Sequence, residues 1–337
     1  MKIQLQSLRA INCGPLRDVC IHFNTDGDSP TTVLAGANGS GKTTALELIV
    51  GLAEMLLPLS ELPPLRPALA QAEYAQMDLL VDGKEFSLFF GQKPTGTVLP
   101  ENFFGRSGVI GDFTDEYQGE IVSAIRARIH QQETHANVDP FAIISEDDNR
   151  RERPYLTVPS VLFFPHTRVL LPVTGDQLHK EEVAYQWVYF YQIISEFKGS
   201  LDSYLVWLDY VEQDSYESAI HFLNELNIDG KTFSIRRKDL KVLVKASNGG
   251  IHFLENMSSG EQNILILLLE LRRRVLPHSI VLIDEIENSL HQAFQKKLAQ
   301  ALKRMQEQMP FQLIVTTHSV PIVKSFGPAS VRVLTEF

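Results

Sequence analysis

The stretch GANGSGKTT, from Gly36 to Thr44, decides the fold that this sequence predicts. It satisfies the pattern G-x-x-x-x-G-K-[ST] and lies between a predicted strand, TTVLAG, and a segment with helical spacing over residues 42–57. Glycines there let consecutive backbone N–H groups converge on phosphate oxygens, and the helix start adds partial positive charge. A chance glycine-rich turn is the alternative, but both flanks argue against it. The sequence therefore predicts a nucleoside triphosphate site.

The residues of this loop have different expected parts in binding ATP with Mg²⁺. Lys42 would reach the β- and γ-phosphates, and the hydroxyl of Thr43 would hold Mg²⁺. The predicted nucleotide-binding set of the loop is Gly36, Ala37, Asn38, Gly39, Ser40, Gly41, Lys42, Thr43 and Thr44.

A second segment, IVLIDE at residues 280–285, is an apolar run that ends on two carboxylates. This pattern predicts a buried strand whose C-terminal edge faces the glycine-rich loop. Asp284 is suited to the outer shell of Mg²⁺ and Glu285 to a general base that orients water on the γ-phosphate. An ordinary strand-end cap would explain both acids in isolation. The loop upstream favours the catalytic interpretation.

Composition excludes several classes of protein. The chain has 337 residues, of which 44% are hydrophobic and 21% charged, which is typical of a globular protein and not of a disordered or fibrous one. The two cysteines, Cys13 and Cys20, suggest neither a disulfide framework nor a zinc site. Glutamates interrupt the most apolar segments, so no membrane span is expected. A cytoplasmic protein is the expectation.

Periodicity predicts the arrangement of the elements. Two N-terminal strands should join at Gly14 and Pro15, and residues 77–90 should form a hairpin. Residues 91–153 show weak periodicity, which predicts an irregular insertion with one short helix near 118–132. Aromatic and aliphatic residues at helical spacing predict a helical subdomain over residues 179–227. Strands and helices then alternate up to the C-terminal part, as in a parallel sheet.

MSSGEQ, at residues 257–262, resembles the signature motif of the ABC superfamily of ATPases, in a form close to that of SMC proteins. The resemblance places Ser258 on the signature serine and Gly260 on its second glycine, while Ser259 replaces the first glycine. In that superfamily the motif opens a helix that faces the γ-phosphate bound by the opposite subunit. A serine cap followed by free N–H groups is an anion site on physical grounds too. A plain helix cap is the alternative.

TTHS, at residues 316–319, resembles the switch histidine segment of the same superfamily. The resemblance implies that His318 contacts the γ-phosphate and senses its loss. DEIENSLH, at residues 284–291, is similar to the form found in OLD-like and RecF-like ATPases, whereas transporter subunits usually have an aspartate where His291 stands.

VLFFPHTR, at residues 161–168, occupies the place of the strand that leads to the Q-loop, yet it contains no glutamine. His166 or Arg168 would then stand in for the missing contact with the metal and the γ-phosphate. A surface ion pair is an equally weighted alternative for Arg168.

The resemblance implies an α/β P-loop NTPase: a single ABC-type ATPase head with a mixed sheet, N-terminal antiparallel strands and a helical signature lobe. Residues 1–175 and 261–337 would form the nucleotide-binding lobe, interrupted by the insertion at about 91–153. Residues 176–260 would form the helical lobe.

Length separates the members of this branch. The stretch between Lys42 and Ser258 leaves no room for the long coiled-coil arms of SMC proteins, and few residues follow His318 for the nuclease domain of OLD proteins. The expectation is a stand-alone AAA-type head, as in bacterial anti-phage defence systems.

The implied mechanism is a homodimer in which each ATP lies between the glycine-rich loop of one subunit and Ser258 of the other. Hydrolysis would then switch a DNA-bound or effector-bound complex, in DNA repair or anti-phage defence. The alternative is a regulatory ATP-sensing module that holds a nuclease or toxin encoded nearby, with little turnover. A transporter ATPase subunit is a weaker alternative.

Two basic clusters are candidates for contact with double-stranded DNA. Because the net charge is −10, such contact would need a local patch of positive charge. Solvated faces are the usual alternative for such clusters. The clusters are Arg126, Arg128, Arg150, Arg151 and Arg153 in the insertion, and Arg236, Arg237 and Lys238 in the second predicted hairpin. The aromatic segment at residues 184–194 is expected to be a helix, either in the core or as a docking face.

Overall fold

The computed structural model describes residues 1–58, 61–109, 112–133, 158–168, 185–191 and 201–334. The strands are β1 (Ile3–Cys13), β2 (Leu16–His22), β3 (Thr31–Gly36), β4 (Tyr74–Val81), β5 (Lys84–Gly91), β6 (Phe103–Val109), β7 (Asp112–Gln118), β8 (Val161–Phe164), β9 (Val188–Phe190), β10 (Thr232–Arg236), β11 (Lys241–Lys245), β12 (Ile251–Phe253), β13 (Ile280–Ile283), β14 (Gln312–Thr317) and β15 (Val331–Leu334). The α-helices are α1 (Lys42–Glu54), α2 (Pro67–Ala70), α3 (Ile121–Glu133), α4 (Leu201–Val211), α5 (Gln213–Glu225), α6 (Ser259–Arg274), α7 (Gln292–Gln308) and α8 (Val320–Phe326).

The central sheet is parallel and has the order β15-β3-β14-β13-β8-β9. Strand β14 lies between β3, which leads into the glycine-rich loop, and β13, which ends before Asp284. Parallel strands carry their carboxyl ends at one edge of a sheet. The topology therefore brings the ends of β3, β13 and β14 to the same edge.

Both faces of this sheet are buried, because successive side chains of a strand point to opposite sides. Leu282 and Ile314 face a core that includes α1 and the N-terminal strands. Their neighbours Ile283 and Val315 face a second core that includes α6 and α7. The result is a sheet sandwiched between layers, with its functional edge left accessible.

The N-terminal strands form a separate sheet of order β2-β1-β4-β5-β6-β7, in which the β1, β2, β4 and β5 neighbours are antiparallel. The predicted hairpin with its turn at Asp82 and Gly83 is confirmed. The prediction of an irregular insertion is wrong for residues 103–109 and 112–118, which form the paired antiparallel strands β6 and β7. Its β-branched and aromatic residues are spaced by glycines and charges, which obscures the alternation. The predicted helix near 118–132 is confirmed as α3.

The helical prediction for the aromatic segment is wrong where the structure describes it. Residues Val188–Phe190 form β9 and pair with β8 at the edge of the central sheet. The aromatic side chains alternate between faces: the Phe190 ring packs 5.0 Å from Phe163, whereas the Tyr189 ring packs 6.1 Å from Phe164. A run that is aromatic on both faces hides the period-two signal. The rest of the segment, at 184 and 192–194, lies outside the described residues.

The buried side chain of Gln312 joins the two large sheets. Its amide oxygen accepts the N–H of Leu5 at 2.7 Å, and its amide nitrogen donates to the carbonyls of Leu5 and Asn24, each at 2.9 Å. The Gln312 side chain, from a strand of the central sheet, thus supplies hydrogen-bond partners to backbone groups of β1 and of the segment after β2.

We expect Gln312→Leu to lower the free energy of unfolding by about 2–4 kcal/mol, because each buried backbone group left unpaired costs about 1–3 kcal/mol. Urea denaturation measures the change. Gln308→Leu, on the exposed face of α7, is the control and should stay within about 0.5 kcal/mol of the parent. Equal effects of the two changes would contradict this role of Gln312.

Candidate functional site

The glycine-rich loop between β3 and α1 is closely surrounded. A Cβ added to Gly36 would lie 2.4 Å from the carbonyl oxygen of Leu334, in β15. Gly41 has a φ of +90°, and a Cβ there would lie 2.5 Å from Cδ2 of Leu16. Both positions therefore require glycine, for lack of space at each and for backbone conformation at Gly41 as well. Ala37, Asn38 and Gly39 form the exposed part of the loop.

Helix α1 begins without a side-chain cap. The first N–H groups of a helix have no partner within it, so its N-terminus is free to bind an anion. Lys42 follows the loop, is buried, and donates from Nζ to the carbonyls of Gly36 at 3.0 Å and Ala37 at 2.7 Å. Ser40 is buried beside it, and its hydroxyl has no partner within the described part of the chain. An uncapped helix start and a lysine together suit phosphate.

Asp284 lies at the end of β13 and is fully buried. Thr43 places its hydroxyl 3.1 and 3.0 Å from the two carboxylate oxygens. Thr316, at the end of β14, donates its hydroxyl to the same carboxylate at 2.6 Å and accepts the N–H of Glu285 at 2.7 Å. A hydroxyl and a carboxylate at this distance are the donor set that Mg²⁺ takes in nucleotide sites. The residues present therefore fit a magnesium ion.

Glu285 has a φ of 42°, a left-handed conformation that is uncommon outside glycine. Its side chain lines a cleft of about 170 Å³ with the glycine-rich loop. The lining consists of Pro15, Asn38, Gly39, Gly41, Lys42, Thr43, Thr44 and Glu285. Backbone strain at a carboxylate that faces a polar cleft is typical of a functional position.

The alternative of a surface ion pair for Arg168 disagrees with the structure, whereas the phosphate contact stays a prediction. The guanidinium is only 6% exposed and donates to three backbone carbonyls, those of Pro165 at 2.7 Å, Asp284 at 3.1 Å and Glu285 at 3.3 Å. Burial lowers the pKa of Arg168 to about 10, so it remains charged at neutral pH. Arg168 therefore stabilises the backbone of the acidic turn, which begins with Asp284 and Glu285.

His166 is the residue of this segment that approaches the candidate metal position. Its Nδ1 lies 3.5 Å from Oδ2 of Asp284, and the side chain is half-exposed. Of the two residues expected to replace the Q-loop glutamine, the geometry favours His166.

Ser258 caps helix α6 rather than facing the cleft. Its N–H and hydroxyl both donate to Oε2 of Glu261, at 3.0 and 2.9 Å, and the Glu261 N–H donates back to the hydroxyl at 3.4 Å. Burial opposes ionisation of Glu261, but the bonds from Lys231 and Ser258 lower its pKa. This capping box leaves Ser258 exposed at the surface, where a second molecule can reach it.

Gly260 packs the start of α6 against the turn that follows the acidic pair. A Cβ on Gly260 would lie 2.4 Å from the carbonyl oxygen of Ser289. Asn263, one turn further along α6, donates to the carbonyl of Asn288 at 3.2 Å. The signature-like segment is thus attached to the acidic turn within one chain.

The structure places Asn38, Gly39, Gly41, Lys42, Thr43, Thr44 and Glu285 in the lining of the cleft. Asp284 is buried outside that lining and contacts it through the hydroxyl of Thr43. Within the described part of the chain, that lining does not include Ser258, Gly260, Arg168 or His318. His318 follows β14 and is half-exposed, with Nδ1 3.4 Å from Oε1 of Glu287.

Sequence reasoning did not assign functions to Thr316 and Glu287. Both lie inside segments that the motifs already marked, but a hydroxyl or carboxylate beside a motif gives no sign of its partner until the strands are paired. The register of β13 against β14 supplies that information.

A parallel sheet with a glycine-rich loop, an acidic pair and a polar strand end at one edge defines an α/β P-loop NTPase head, as the sequence predicts. The chain belongs to the family described as "AAA domain, putative AbiEii toxin, Type IV TA system", which matches residues 31–323. This match confirms the resemblance to AAA-type ATPase heads.

Three solved structures are similar to the chain, and each comparison covers 96% of it and 92% of the other chain. They are the SMC head domain from Thermotoga maritima (16% identity, TM-score 0.46), an SMC head bound to the C-winged helix domain of ScpA (14%, 0.49) and an SMC head with an extended coiled coil bound to the C-terminal domain of ScpA derived from Pyrococcus furiosus (14%, 0.44). No curated protein matches the chain. In the described residues, no helix is both long and apolar enough to cross a membrane.

Thr316→Val should lower the free energy of unfolding by about 1–3 kcal/mol, because valine leaves the Glu285 N–H unpaired and removes one donor from a buried carboxylate. Mn²⁺ affinity in the presence of ADP, followed by electron paramagnetic resonance, should fall about tenfold, which corresponds to about 1.4 kcal/mol.

Thr316→Ser is the matched control, because it keeps the hydroxyl and should recover most of both losses. If serine and valine behave alike, the hydroxyl has no role at this site.

Proposed function

We propose that the chain binds ATP with Mg²⁺ in this cleft and hydrolyses it to ADP and phosphate. The observation that carries the proposal is the placement of the Thr43 hydroxyl within 3.1 Å of both oxygens of Asp284, in a cleft also lined by Lys42 and Glu285. The loop amides and Lys42 would hold the phosphates, and Thr43 and Asp284 would hold the metal. Bound Mg·ATP supplies the phosphoanhydride that water cleaves.

One residue of the chain acts as the base in hydrolysis, and two others hold its backbone in place. The carboxylate of Glu285 is the base that takes a proton from water. Its backbone is held in place by Thr316 through its N–H and by Arg168 through its carbonyl. A rigid base lowers the cost of orienting water, which is the main contribution a protein makes to phosphoryl transfer.

The proposal extends to a head-to-tail homodimer around two ATP molecules. Ser258 is exposed at the start of α6, a 16-residue helix whose N-terminus would bind an anion in place of the Glu261 carboxylate. It lies outside the cleft of its own chain, so its natural phosphate partner is the nucleotide of a second copy. The dimer would close when ATP is bound and open after hydrolysis, so that turnover switches a partner complex.

The partner of the proposed complex is a protein effector rather than DNA, because several of the basic residues that were candidates for DNA contact already have partners within the chain. Of the predicted DNA-contacting residues, Arg237 pairs with Asp209 at 2.7 Å, Arg236 pairs with Asp239, and Arg126 donates to backbone carbonyls of α1's C-terminal turn. The ion pairs of Arg236 and Arg237 offset cationic charge that a DNA contact would need, and the hydrogen bonds of Arg126 direct its guanidinium to backbone carbonyls. Arg128 lies in α3, and the remaining arginines of the insertion cluster, at 150, 151 and 153, lie outside the described residues.

DNA clamping is the second candidate, supported by the net basic run at 236–238 on a surface hairpin. DNA that stimulates turnover in a salt-sensitive way would favour the clamp. Stable co-purification with the product of an adjacent gene, combined with slow turnover, would favour the regulatory module.

Glu285→Gln should reduce the rate of ATP hydrolysis at least ~100-fold, a loss within the range that general bases contribute. The amide cannot accept the proton from water, but it keeps the shape of the cleft. The same variant should form a dimer with ATP that persists, measured by light scattering with and without nucleotide.

Glu225→Gln, on the exposed face of α5, is the control and should hydrolyse ATP at the parent rate. A parent-like rate for Glu285→Gln would remove Glu285 from its role. If Glu285→Gln loses hydrolysis as expected but forms no ATP-dependent dimer, the proposed homodimer is wrong and the proposed role of Glu285 in hydrolysis stands.

A further inference from the structure

Glu287 is a buried carboxylate that the proposed chemistry does not use. It is 7% exposed and lies two residues beyond Glu285, outside the lining of the cleft. Its Oε1 accepts the N–H of His318 at 2.7 Å, and its Oε2 accepts the hydroxyl of Thr317 at 2.7 Å. Burying a charge is costly unless hydrogen bonds compensate it, and both compensating bonds come from the end of β14.

The same carboxylate also contacts the imidazole of His318. Nδ1 of His318 lies 3.4 Å from Oε1 of Glu287, while 48% of the His318 side chain is exposed. A carboxylate beside Nδ1 favours the tautomer that carries its proton there, which leaves Nε2 as the nitrogen available to an incoming ligand. The contact therefore favours one orientation and one tautomer of the ring.

Glu287 is itself held in a rigid turn. The turn begins at Glu285 and reaches Ser289, and both of these residues have left-handed φ values, 42° and 62°. The Leu290 N–H donates to the Glu287 carbonyl at 2.8 Å, and the Asn288 N–H donates to the Glu285 carbonyl at 2.9 Å. A side chain on such a turn has little freedom to follow His318 and acts instead as a fixed support.

The segment after His318 is supported from α7 as well. The hydroxyl of Ser319 donates to the side-chain oxygen of Gln295 at 2.5 Å, and the Ser319 N–H donates to the hydroxyl of Thr317 at 2.9 Å. The hydroxyl of Thr317 thus accepts from one neighbour and donates to Glu287. Replacing Glu287 by Gln would put an amide donor against that hydroxyl and would remove the charge that favours the Nδ1–H tautomer.

We propose that Glu287 is a positioning residue that holds the His318 imidazole, through Nδ1 and the backbone N–H, with Nε2 directed to the γ-phosphate of ATP. The same turn touches the start of α6 through Asn288 and Ser289, so Glu287 also joins the phosphate-sensing histidine to the signature-like helix. The inference rests on the proposed function, because His318 can distinguish ATP from ADP only if the chain binds ATP in the cleft.

The experiment is a double-mutant cycle read as nucleotide preference in the absence of turnover. The ratio of the ADP dissociation constant to that of a non-hydrolysable ATP analogue is measured by titration calorimetry for the parent, Glu287→Ala, His318→Ala and the double variant. We expect each single change to reduce the ratio about tenfold and the double variant to show no further loss, because two residues that act through one contact are not additive. Glu287→Gln should fall between the parent and Glu287→Ala.

Glu307→Ala, on the exposed face of α7, is the control and should keep the parent ratio. Urea denaturation of every variant checks folding, and Thr317→Val, which removes one bond to Glu287, replaces Glu287→Ala if that variant does not fold. A parent-like ratio for the Glu287 or Thr317 variant, or multiplication of the two single effects in the double variant, would overturn the inference alone. A parent protein that binds both nucleotides without preference for the ATP analogue would overturn the inference, and a parent protein that binds neither nucleotide would overturn the proposed function as well.

Discussion

The hydrogen bonds to the buried carboxylate of Asp284 are the interaction on which the rest of the site depends. Thr43 from the start of α1 and Thr316 from the end of β14 both donate to it, so one side chain joins three elements that are distant in the sequence. A buried charge is tolerated only when such partners satisfy it. The geometry of the glycine-rich loop, the acidic turn and the switch segment is therefore set by a common constraint.

Two helix starts in this chain solve the same electrostatic problem in different ways. Helix α1 has no side-chain cap, so its free amides can bind a phosphate in the cleft. Helix α6 is capped by Ser258 and Glu261, which satisfy each other. An anion that bound at α6 would have to displace the Glu261 carboxylate from Ser258. The start of α1 can therefore bind an anion directly, whereas the start of α6 can bind one only after Glu261 has moved away.

Sequence reasoning succeeded where local pattern and chemistry coincide. The loop at Gly36–Thr44 and the strand that ends before Asp284 were predicted because glycine, lysine and paired acids have few other reasons to occur in that order. It failed for β9, where aromatic residues on both faces hide the alternation of a strand, and for the β6-β7 hairpin. The surface ion pair considered for Arg168 is wrong, because a sequence shows the charge of a side chain but not the carbonyl groups that surround it.

The sequence by itself determined which chemical groups the protein would bring to a nucleotide: a glycine-rich loop, a lysine, a threonine and two acids, each identifiable from residue type and spacing. Only the tertiary structure decided which polar side chains support them, since those partners come from strands far apart along the chain. Thr316 meets Asp284, Glu287 meets His318 and Arg168 meets the carbonyl of Glu285 because the parallel register places these strand ends side by side. Register depends on the packing of both sheet faces, which no local pattern contains.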